Sequence, residues 1–226
     1  MVSEGSRFTL YRWVAGLGAA TVQSATYFAV GNAHFARSTE LLRTPLDDAI
    51  PFLPETAWLY LPFYGAIFAI ALAGFQTRAF FNRALLGFAM ILCVGLICHR
   101  FIPAVYPRPI LHAPFPNVSY AFMAWVQRID PPGNVFPSLH VAHSSALALI
   151  IHRENRRLGR VVLVMAALLA LSTLTTKQHF VADVISGLML AAGARLLVLR
   201  GIERSPTAEE KEREPVAEPA TDLALG

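Results

Sequence analysis

The sequence predicts an all-α integral membrane protein with six transmembrane helices and both termini in the cytoplasm. Three observations carry this expectation. Of 226 residues, 55% are hydrophobic and only 15% charged, whereas a soluble domain carries about a quarter charged. Six apolar stretches divide the chain, each close to the roughly 20 residues needed to cross a bilayer. The basic residues fall unevenly on the two sides that six crossings would create.

Taken in order, the first stretch covers residues 13–30 and is diluted by Gln23, Ser24 and Thr26. It is longer than a signal-peptide core and lacks a small-x-small cleavage site, which predicts an uncleaved first helix. The second covers 57–75 and the third 84–99. A proline-rich loop follows over 100–136, too polar to span. The fourth stretch, 137–151, and the fifth, 161–175, are short and carry serine, threonine or histidine, as suits helices buried among other helices. The sixth covers 181–199. Residues 1–202 therefore read as one membrane domain. From 203 to 226 the composition turns to Glu, Lys, Pro and Ala. Such a segment buries too little apolar surface to order itself, and it is expected to be a disordered cytoplasmic tail.

Thirteen of the 19 basic residues fall before the first stretch, between the second and third, between the fourth and fifth, or late in the sixth and beyond. That side is expected to be cytoplasmic. The other receives Arg37, Arg43, Arg100, Arg108, Arg128 and Lys177. The formal charge of +4 is scattered among apolar runs rather than gathered on a stripe, which argues against a nucleic-acid partner. Cys93 and Cys98 share one apolar run, read as small buried hydrophobes.

The outer side also collects the residues suited to chemistry. His179 and Asp183 are four apart, so a helix places them on one face. A carboxylate on one imidazole nitrogen fixes the tautomer and frees the other to attack. A structural His–Asp pair joining helices fits the same spacing. Pro137-Ser138-Leu139-His140 reads as a helix start, with serine as cap. Unpaired N–H groups there, at the positive dipole end, suit an anion, and His140 would stand beside it as a proton donor. An ordinary capped helix with an interfacial histidine is the plainer alternative. His143, three residues on, raises a metal pair, but no Cys or Glu nearby completes a site. Arg108 lies between Pro107 and Pro109, and a guanidinium matches phosphate oxygens. Arg100 and Lys177 are further candidates for the same anion. His34, His99 and His112 are assigned to interfaces or loops, and His152 to the cytoplasmic side.

Together these segments resemble the type 2 phosphatidic acid phosphatase superfamily. Its marks are a Lys-x6-Arg-Pro segment, a Pro-Ser-Gly-His segment and a Ser-Arg-x5-His-x3-Asp segment. Arg108-Pro109 matches the end of the first. Pro137-Ser138-Leu139-His140 matches the second with Leu139 at the glycine. Ser172, His179 and Asp183 match the third. The forms Pro-Ser-Leu-His and His-Phe-Val-Ala-Asp are closest to the branch holding fungal inositol phosphorylceramide synthases and related bacterial proteins. The family lysine falls on Phe101 and the family arginine on Thr173.

The resemblance implies a lipid phosphatase or phosphotransferase that needs no metal and no cofactor. His179 would be the nucleophile, Asp183 its orienting partner and His140 the acid. Arg108, Ser138 and the backbone at Leu139 would hold the phosphate, with Lys177 and Arg100 replacing the missing cations. The partners implied are a lipid phosphate, the bilayer and, for transfer, an acceptor alcohol. The location implied is a bacterial inner membrane with the site facing the periplasm or exterior. Lipid identity, acceptor and oligomeric state stay open. Two other classes also stay open: an inactive family member serving as a lipid-binding scaffold, and a haem carrier using His99, His140 and His143.

Overall fold

The computed structural model of the protein describes residues 4–32 and 42–203. Among these residues every regular element is helical and no strand forms. The helices are α1 (Glu4–Gly31), α2 (Pro45–Ala49), α3 (Ala57–Gly74), α4 (Arg78–Phe101), α5 (Val118–Ile129), α6 (Leu139–Glu154), α7 (Arg156–Thr175) and α8 (Val181–Glu203). Each of the six apolar stretches falls within one long helix, apart from a residue or two at its ends. The tail over 204–226, and with it His34 and Arg37, lies outside the described residues.

Among the described residues four helices are long and apolar enough to cross a membrane: α3 with the 3-10 turn Pro54–Thr56 before it, α4, α7 and α8. α6 is different in kind. It has 16 residues, rising about 24 Å at 1.5 Å per residue, short of the roughly 30 Å of bilayer hydrocarbon. From Leu139 to Ile151 every residue except Leu149 is buried. It is the central helix, packed by α3, α4, α7 and α8. Protein surrounds it, so its serines and histidines meet other side chains instead of lipid.

The helix ends gather at two ends of the bundle. At one, Arg12 on α1 donates to the Ala73 and Phe75 carbonyls at the end of α3. There too the Glu154 carboxylate, ending α6, accepts from the Thr77 N–H and hydroxyl at the start of α4. At the other end, the Leu53 N–H donates to the Thr175 carbonyl that closes α7, and the Ser138 N–H donates to the Asp183 carbonyl. Asn134 donates to the Tyr27 carbonyl late in α1 (2.6 Å). All the residues singled out for chemistry lie at this second end.

Close approach there needs glycine. A Cβ on Gly187 of α8 would sit 2.8 Å from the Ser138 carbonyl oxygen, so this position lets α8 press against the start of α6. Gly95 of α4 makes the corresponding room for the Leu139 side chain.

The loop expected over 100–136 contains a helix. Asn117 caps α5 by accepting from the Ser119 and Tyr120 N–H groups. Met123 and Val126 turn inward onto Ala57 and Tyr60. Val118, Trp125 and Ile129 form an exposed apolar stripe on the other side. The aromatic ring of Phe122 stacks on Trp58 of α3, with centroids 4.0 Å apart.

Candidate active site

His179 is placed by the turn between α7 and α8. The Lys177 N–H donates to the Leu174 carbonyl and the Gln178 N–H to Thr173. This is the Schellman pattern, which puts its left-handed residue just past the helix end. That residue is Lys177, with φ 57°, where glycine is usual. The His179 N–H also bonds the Thr173 carbonyl (3.2 Å).

The His179 ring is buried, and its Nδ1 lies 3.0 Å from the Val135 carbonyl oxygen. A carbonyl only accepts, so Nδ1 carries the proton and Nε2 keeps its lone pair. Asp183 is the more distant neighbour, with Oδ2 3.4 Å from Nδ1. The same Oδ2 accepts from the Phe180 N–H at 2.6 Å, the reach-back of a carboxylate at the third helical position to the cap residue. Asp183 flanks the imidazole and also caps α8.

His140 enters from α6. Ser138 caps that helix, its hydroxyl accepting from the Val141 N–H at 3.4 Å, as the Pro-Ser signature predicts. The imidazole is ringed by aromatic groups: Tyr64 at 4.7 Å and Tyr60 at 4.9 Å on α3, and Tyr27 at 5.7 Å on α1. The centroids of His140 and His179 are 6.2 Å apart. The structure thus brings together the two histidines that the sequence separates by 39 positions.

Arg108 is held otherwise than expected. Its Nη1 donates to the Asp130 carbonyl at 2.6 Å, and its Nη2 lies 3.5 Å from the Asp130 carboxylate. The same carboxylate accepts from the Tyr27 hydroxyl at 2.6 Å and from the Tyr60 hydroxyl at 2.8 Å. Burial alone would raise the pKa of Asp130. The charges of His140 and Arg108 and the two phenol hydrogen bonds outweigh it and hold the carboxyl below its usual 3.8. Asp130, Tyr27, Tyr60 and Val135 were not read from the sequence. The one available signal was a carboxylate ten residues before His140 in a loop poor in acids.

The two replacement cations are engaged elsewhere. The Lys177 ammonium donates to the carbonyls of Asp47 (2.7 Å) and Ile50. Burial lowers its pKa from 10.5, with Asp47 and Asp48 opposing. Asp47 also accepts from the Val181 N–H at 2.7 Å, so α2 and Lys177 clip the start of α8. Arg100 is exposed at the end of α4, its guanidinium 5.5 Å from the Phe101 ring centroid. Phe101 is itself 73% exposed. Thr173 is buried, its hydroxyl bonded to the Ala170 carbonyl. His143 has both ring nitrogens in hydrogen bonds, to Gln23 and to the Phe88 carbonyl. His99 Nε2 is bonded to the Pro137 carbonyl. Among the described residues no three His, Cys, Asp or Glu side chains converge as a metal site.

A cavity of about 190 Å³ opens beside His140 between α1 and α3, its wall largely apolar and reaching Phe28, Leu61 and Ile129. The family model described as the PAP2 superfamily matches residues 36–197. No curated protein and no solved structure matches the chain.

Proposed function

The chain belongs to the PAP2 superfamily, whose members are generally phosphatases, and from that premise we propose that it cleaves or transfers a phosphate ester of a membrane lipid through a phosphohistidine. The observation that carries this reading is the His140–His179 pair, 6.2 Å apart, with the Nδ1 proton of His179 directed at the Val135 carbonyl.

In the first step the Nε2 lone pair of His179 attacks phosphorus. The bond to the lipid oxygen breaks, and that oxygen takes a proton from His140. In the second step water or an alcohol attacks the phosphohistidine while its own proton passes to His140. The P–N bond breaks and His179 is restored. Asp183 supports the imidazolium formed in between. Ser138 and the N–H groups at the start of α6 offer donors to the phosphate oxygens. The apolar cavity beside His140 suits the lipid portion of the leaving group.

The reading extends to topology and to reaction type. Six crossings place α1 and α6 in the membrane along with the four more apolar helices, and put the site on the outer side of a bacterial inner membrane. The likeness of Pro137-Ser138-Leu139-His140 to the inositol phosphorylceramide synthase branch favours transfer to an alcohol alongside hydrolysis.

His179→Gln is expected to lower phosphate release from detergent-solubilised lipid phosphates by about 10³-fold or more. Full activity in that variant sinks the mechanism. A wild-type protein that binds lipid phosphates but releases none is the scaffold, and a Soret band in the purified protein marks the haem carrier. Thin-layer chromatography of the lipid product, with and without added alcohols, separates hydrolysis from transfer.

A further inference from the structure

His140 is faced by Tyr27 on α1, Tyr60 and Tyr64 on α3, the Arg108–Asp130 pair of the outer loop, and His179 ahead of α8. On its own helix His143 turns away, to the Phe88 carbonyl. Of these groups only Tyr60 is within hydrogen-bond reach of the His140 ring. Its hydroxyl oxygen lies 3.1 Å from Nδ1 and 3.5 Å from Nε2.

The direction of the bonds follows from what each group can give. Asp130 is an ionised carboxylate and accepts only. Tyr60 therefore donates its one proton to Asp130 Oδ2, at 2.8 Å. Its oxygen is left as an acceptor, so the nearer His140 nitrogen, Nδ1, must donate to it. The chain of proton donation runs His140 Nδ1–H to Tyr60 O–H to Asp130. Tyr27 occupies the other carboxylate oxygen at 2.6 Å, and Arg108 balances the charge. We propose that Asp130 is a positioning residue for His140, acting through Tyr60, with Arg108 as the counter-ion of this carboxylate. The arrangement fixes the His140 proton on Nδ1 and leaves Nε2 to trade the proton with the leaving oxygen. It also favours the imidazolium, since the carboxylate charge is relayed to the ring. The proposal rests on the phosphohistidine reading, in which His140 is the acid.

The test compares two leaving groups. An alkyl lipid phosphate needs its oxygen protonated, whereas the nitrophenolate of p-nitrophenyl phosphate leaves without a proton. Asp130→Asn and Tyr60→Phe in the detergent-solubilised full chain are each expected to lower kcat on the lipid phosphate by about 10²-fold, the scale of general acid catalysis. KM should be little changed. The p-nitrophenyl ester should lose less than about 3-fold, because the acid contributes little there. Loss of the carboxylate charge makes the imidazolium less stable, so the alkaline limb of the pH profile should move to lower pH. Tyr60→Phe keeps the ring and its packing, so a shared effect of both variants speaks against misfolding. Equal losses on both substrates with an unmoved alkaline limb overturn the proposal. Should the wild-type chain act on neither ester, the phosphohistidine reading fails and this proposal with it.

Discussion

His179 stands where a left-handed lysine, a helix end and a loop carbonyl jointly put it, and only part of that was readable in advance. The His179–Asp183 spacing and the Pro-Ser-Leu-His run are local signals, so the paired histidines were legible. Asp130, Tyr27 and Tyr60 were not, because they come from three separate segments and acquire meaning only through packing. Arg108 was legible as a functional arginine, yet a guanidinium matches a carboxylate as well as it matches a phosphate, and the sequence holds nothing that chooses between them. Lys177 was similarly opaque. A left-handed lysine costs about 1 kcal/mol against glycine, and its two carbonyl partners lie some 130 positions away. The Asp130 cluster also has a consequence for stability. The folded pKa of Asp130 lies below the unfolded value, so its contribution is complete above about pH 4 and lost as pH falls through the folded value. Asp130→Asn keeps the bond from the part-buried Arg108 to the residue-130 carbonyl and removes only the carboxylate, so the loss is expected to stay below the about 3–5 kcal/mol of a fully broken buried pair. Thermal melts in detergent should show a lower Tm for the variant at pH 7 and a smaller difference from wild type below about pH 4.

The elements were legible wherever apolar length decides. All six stretches became helices; polar caps such as Thr77 and Asn155 start α4 and α7 several residues ahead of their apolar cores, whereas Ser138 starts α6 two residues inside its stretch. α2 and α5 were missed because both lie in segments too short or too mixed to read as spans. α6 shows why composition understates a buried helix: its histidines His140 and His143 reach partners on neighbouring helices. Its contact with α8 gives a prediction at this scale. Gly187 faces the Ser138 backbone, so a branched side chain there must push α8 and α6 apart. That movement would separate His179 from His140. Gly187→Val is expected to lower kcat by about 10²-fold, as misplacements of about 1 Å do. The folded protein should persist in detergent by size-exclusion chromatography. Undiminished turnover would mean that the contact does not hold the histidines together.

As a whole the molecule is a bundle with one chemically armed end, and its orientation can be checked directly. In a background lacking Cys93 and Cys98, a cysteine at exposed His112 should react with a membrane-impermeant maleimide in intact cells. One at exposed Arg157 should react only after permeabilisation. Reversed labelling would turn the bundle over. The basic-residue count carries this expected orientation, and α5, which the sequence hid, bears on the expected height of the bundle in the bilayer. Trp58, Phe122 and Trp125 form a ladder of stacked rings across α3 and α5. Rings of this type settle at the boundary between acyl chains and headgroups. We expect the ladder to act as a waterline, so that the immersion of the histidine pair is gauged from it and not from the lengths of the spanning helices. On that expectation, a thicker or thinner leaflet on the far side would leave the proposed reaction at the same depth beneath the phosphates.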